Sequence, residues 1–87
     1  MQNIYISCKY ESWGDHWFKE LVEFFGNQDD LKFVFNRRHK EIIFPAARIK
    51  FIPESKVSTY TAGCKPGTAV INWDGDDVEE LADLIIA

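Results

Sequence analysis

The chain has 87 residues, of which 46% are hydrophobic and 15% aromatic, and its 14 acidic and 10 basic side chains give a formal net charge of −4. That length holds one domain, residues 1–87, and no more. The net acidity argues against a polyanion ligand, and no apolar run approaches the ~20 residues of a membrane span.

In chain order, NIYISCK (Asn3–Lys9) is rich in β-branched and aromatic residues and reads as an opening strand. ESWGDHWFKELVEFFGN follows. Ser12 with Asp15 has the spacing of a helix-capping pair, in which a side-chain oxygen takes up orphan amide hydrogens. Trp17, Phe18, Leu21, Phe24 and Phe25 then recur at helical spacing, and Gly26 can supply a left-handed stop. LKFVFNRRHKEIIF predicts two short strands around the polar turn Asn36–Lys40. A second turn at Pro45–Ala47 leads into RIKFIP, where Arg48 and Lys50 alternate with Ile49 and Phe51 as in a half-exposed strand. Pro53 ends that strand, because proline cannot extend the ladder. ESKVSTYTAGCKPG reads as a loop and TAVINW as a short apolar strand. In DGDDVEELADLIIA, Asp76 and Glu79 have capping-box spacing, and Val78, Leu81, Ala82 and Ile85 make one apolar stripe.

The order β-α-β-β-β-β-α predicts a single small α+β domain, a mixed sheet with two helices. The long connection before TAVINW lets that strand lie beside the first, which would bring Cys8 and Cys64 close together. The two cysteines form no CxxC pair and the amino terminus has no secretory pattern. Free thiols and a cytoplasmic location are therefore expected.

From Gly63 to Glu80, a glycine-rich turn leads into an apolar run that ends on an aspartate and then an acidic cluster. An apolar strand ending in a carboxylate is how many nucleotidases hold a metal ion. The span KEIIFPAARIKFIPESKVSTYTAGCKPGTAVINWDG (Lys40–Gly75) resembles the region around the second acidic motif of phage large-terminase and helicase-like NTPases. There, a hairpin with small residues at its turn precedes a glycine loop and an apolar strand ending in aspartate. The resemblance implies a related topology and a phage origin. That family's phosphate loop, GxxxxGK[ST], has no counterpart in CKYESWGDHW, and Gly75 stands where the catalytic glutamate should follow Asp74. Neither ATP hydrolysis nor a cofactor is expected.

Other chemistry is sparse. Asp74, Asp76 and Asp77 suggest calcium, but Ile85 occupies the place of the closing glutamate, so helix-start carboxylates are the simpler reading and no metal is expected. Cys8 or Cys64 could pair with His16 or His39, yet lone cysteines near apolar strands are core residues in most proteins. Trp13, Trp17 and Trp73 could stack on bases, although core packing is the better account of Trp17.

Charge segregation is the strongest functional signal. Lys32, Arg37, Arg38, Lys40, Arg48 and Lys50 stand against a single Glu41 between residues 32 and 50. From residue 74 onward, Asp74, Asp76, Asp77, Glu79, Glu80 and Asp83 meet no basic residue. The first reading is a non-catalytic phage-type inhibitor whose six carboxylates dock on a host nucleic-acid-handling protein, in the host cytoplasm. The alternatives are a nucleic-acid-binding module using Arg37, Arg38, Lys40, Arg48 and Lys50 on phosphates, or a degenerate NTPase-like domain. A homodimer pairing the basic turn of one copy with the acidic helix of the next is a further reading.

Overall fold

The computed structural model describes residues 2–62 and 68–86, the last by its backbone only. In chain order the elements are β1 (Gln2–Cys8), α1 (Glu11–Gly26), β2 (Val34–Asn36), β3 (Glu41–Ile43) and β4 (Ala47–Pro53). After a 3-10 turn at Glu54–Lys56 come α2 (Val57–Thr61), β5 (Thr68–Asn72) and α3 (Val78–Ile86). The strands form one mixed sheet in the order β2-β3-β4-β1-β5. β4 is the central strand, and β1 beside it runs parallel to β4 on one side and to β5 on the other. β2, β3 and β4 form an antiparallel meander.

The expected α+β class and mixed sheet are present, and TAVINW does lie beside the first strand. The two-helix count is corrected. The segment read as a loop contains the 3-10 turn and α2, a five-residue helix. Its single turn is too short to show the recurring apolar spacing by which helices are recognised. The expected approach of Cys64 to Cys8 falls outside the described residues. Cys8 itself is free and buried.

Strand alternation divides the sheet into two unlike faces. Ile4, Ile6 and Cys8 of β1, Ile49 and Phe51 of β4, and Ile42 of β3 point into the main core, where Phe18, Leu21 and Phe25 of α1 and Leu81 and Ala82 of α3 cover them. On the opposite face Ser7 and Ile52, paired in register, are also buried but stand outside that core. Tyr60 of α2 packs on Tyr5 there, with ring centroids 5.9 Å apart.

The helix ends differ from the capping pattern read in sequence. Ser12 lies inside α1, whose N-cap is Tyr10 with no side-chain hydrogen bond, and Gly26 is its last residue, followed by Asn27 in right-handed geometry (φ −85°). At α3 the cap is Asp77 rather than Asp76: the Glu79 N–H donates to Asp77 Oδ1 at 3.1 Å. Asp76 with Glu79 and Asp77 with Glu80 both have the capping spacing, and the backbone selects the second.

Burial pushes the Cys8 thiol above its ordinary value of 9.0, and the Lys40 ammonium pulls it partly back. The folded chain thus favours the neutral thiol. Its stabilising effect is complete below the unfolded value and is lost as pH rises toward the raised folded one. The urea midpoint should therefore fall above pH 9 more steeply in the native chain than in Cys8→Ala. Equal slopes in the two chains would contradict this.

Candidate functional site

The acidic residues named from sequence lie in the turn after β5 and along α3. β5 ends at Asn72, and the chain continues through Trp73, whose N–H donates to the Ser7 carbonyl oxygen at 2.8 Å, into the aspartate turn. α3 then runs back along the sheet, so that Ile85 lines a cavity with Gln2 and Ile4 at the opposite end of β1. Leu81 and Ala82 are buried, which turns Glu79, Glu80 and Asp83 outward. Asp74, Asp76, Asp77, Glu79, Glu80 and Asp83 are all exposed, and none is ion-paired among the described residues. Leu84 lies beside this face, 50% exposed. It was not among the residues singled out in sequence, although its place off the Val78, Leu81, Ala82 and Ile85 stripe marks it as outward-facing.

The basic residues are placed quite differently. Asn36 Oδ1 accepts the N–H groups of Arg38 (3.0 Å) and His39 (3.3 Å), closing the hairpin turn, and Lys40 follows with φ 52°. The Lys40 ammonium then reaches α1, 2.8 Å from Asp15 and 3.5 Å from Glu11. Its side chain is only 17% exposed, so Lys40 ties the hairpin to the first turns of α1. Arg48 pairs with Glu41 at 3.7 Å. The Lys50 ammonium donates to the His39 carbonyl oxygen at 3.0 Å and lies over the Tyr60 ring. Arg37 lies over Phe35, and Arg38 is exposed. Of the five cations assigned to phosphate binding, Lys40, Arg48 and Lys50 have polar partners within the chain and Arg37 lies on an aromatic ring.

The carboxyl ends of the parallel strands form a cleft of about 300 Å³ that includes Lys9, Trp13, Glu54, Trp73 and Asp74. In an open α/β sheet a phosphate-binding loop would join β1 to α1 at this edge. Here only Lys9 and Tyr10 join β1 to α1, which leaves no loop of backbone amides to cradle a phosphate. Gly75 has a structural reason of its own. A Cβ at this position would lie 2.6 Å from Cη2 and 2.8 Å from Cζ2 of Trp73. That indole is buried and packs edge-on against Trp17, with ring centroids 5.6 Å apart. We expect Gly75→Ala to destabilise the fold by about 1–3 kcal/mol, as overpacking does, read as a lower urea midpoint at unchanged slope.

Trp73 and Trp17 are thus committed to packing. Trp13, 42% exposed, packs edge-on with Tyr10. Among the described residues, no three His, Cys, Asp or Glu side chains are grouped to hold a metal ion. No helix among them is long and apolar enough to cross a membrane. Comparison with known protein families, curated proteins and solved structures yields no match for this chain.

Proposed function

We propose that the chain is a small non-catalytic binding protein that docks on a basic protein surface through the outer face of α3 and the aspartate turn before it. One contrast supports this reading. The carboxylates of residues 74–83 are exposed and without ion pairs among the described residues, whereas Lys40, Arg48 and Lys50 each have a polar partner within the chain. Exposed like charges left unpaired cost the domain some self-repulsion and gain most from an external partner of opposite sign. Leu84, half-exposed beside the acids, supplies the apolar contact that a charged rim alone lacks.

The partner class is a groove lined by arginine and lysine that otherwise takes nucleic acid, as in a host protein opposed by a phage inhibitor. The test is capture on the immobilised chain followed by competition. Retained proteins should be basic, and both heparin and salt should displace them, because screening shortens the reach of exposed charges. Retention of nucleic acid itself, resistant to nuclease-free washing and lost on adding basic protein, would favour the opposite assignment. That second reading keeps Arg37 and Arg38 at the hairpin tip as its anchors.

A further inference from the structure

The two edges of the sheet are guarded unequally. β2 is three residues long, follows Lys32 and ends beside Arg37 and Arg38, the charged flanks that keep an edge from accepting another strand. β5 is five residues long, TAVIN, with no charge, no proline and unbroken register against β1 from Thr68 to Asn72. The Trp73 N–H bonds inward to Ser7. Backbone alternation therefore turns Ala69 and Ile71 inward as well and leaves the N–H and C=O groups of Thr68, Val70 and Asn72 directed outward. Among the described residues nothing beyond β1 pairs with them. Val70 is 39% exposed.

We propose that the β5 edge accepts an extended basic segment of the partner as a sixth strand. This proposal rests on the acidic-surface reading and names how that surface is engaged. The aspartate turn follows β5 directly and so lies at the carboxyl end of the open edge, and it leads into α3, which packs beside α1 on the core face. Backbone groups along β5 supply hydrogen bonds, and the acids select lysine or arginine on the incoming strand. A second copy of this chain is disfavoured on the same edge, because pairing β5 with β5 would bring two acidic helices together.

The probe is a short synthetic peptide alternating lysine with valine, added to the whole chain and followed by amide hydrogen exchange. The Thr68, Val70 and Asn72 amides should slow by about tenfold or more, as new hydrogen bonds imply, and the Ala69 and Ile71 amides should change less. Val70→Pro removes an outward donor without touching the β1 ladder and should abolish peptide binding. If circular dichroism shows that proline disturbs the fold, Val70→Lys replaces it, keeping the backbone donor while repelling a basic strand. Peptide binding that Asp76→Lys, Glu80→Lys, Asp83→Lys abolishes, but that leaves the three outward amides unprotected, would overturn the edge proposal and spare the acidic-surface reading. Equal binding of a threonine–valine peptide would overturn the basic occupant. Concentration-dependent protection of β5 without peptide would assign the edge to a second copy instead.

Discussion

A chain carrying Asp76→Lys, Glu80→Lys and Asp83→Lys should lose its basic partner by on the order of a hundredfold or more while remaining folded. Each reversal replaces attraction with like-charge contact, which costs several kcal/mol across an interface. All three side chains are exposed, so stability should change little at each site, typically within ~0.5 kcal/mol. Glu80 adds a smaller cost, since a carboxylate in the first turn of α3 favours the positive end of the helix dipole. Asp77 is left in place because its Oδ1 caps the Glu79 N–H, and losing such a cap costs about 1 kcal/mol. Isothermal titration against a captured partner gives the affinity, and urea titration confirms the fold. Unchanged affinity in a folded triple variant would contradict the acidic-surface account.

The largest effect on stability is expected at Phe25. It is fully buried near the carboxyl end of α1, and its ring meets Phe24, Phe33 and Phe44, the last edge-on at 5.2 Å between centroids. Truncation to alanine removes the ring from all three neighbours and leaves a cavity, at a cost of about 3–5 kcal/mol. Domains have a total stability of only ~5–15 kcal/mol, and small ones bury the smallest share of their surface. Phe25→Ala should therefore lower the thermal midpoint by roughly 15 °C or more, or leave the chain largely unfolded at 37 °C. Trp13→Ala, at an exposed site, is the matched control and should stay close to native. A thermal midpoint for Phe25→Ala within a few degrees of native would contradict the packing described.

Much of this fold was legible in the sequence because its long elements are strongly patterned. The stripe of Phe18, Leu21 and Phe25 announces α1, and alternation of Arg48 and Lys50 with Ile49 and Phe51 announces β4. The hairpin turn was placed by its polar run, and Asn36 closes it with its own side chain. α2 was missed because one helical turn has no period to read. The cap of α3 was displaced by one residue because adjacent aspartates satisfy the same spacing rule. Surface function was harder to read. Sequence shows where cations lie but not which are already engaged, and Lys40 is the clearest case: it belongs to a polar turn, yet its ammonium folds back across 25 residues of chain onto Asp15. The exposed edge at β5 was likewise hidden, since strand order decides which strand is outermost. The glycine at position 75 becomes intelligible only when Trp73 is seen beneath it.

The most direct measurement sets two variants against each other on one partner: the acidic reversal above and Arg37→Glu with Arg38→Glu at the hairpin tip. Lys40 is excluded because it bridges to α1. Titrated across a salt series, the hairpin variant should bind as the native chain does. The acidic variant should fail at every salt concentration. Loss of binding in the hairpin variant, with the acidic variant unimpaired, would contradict the account and assign the function to the basic turn.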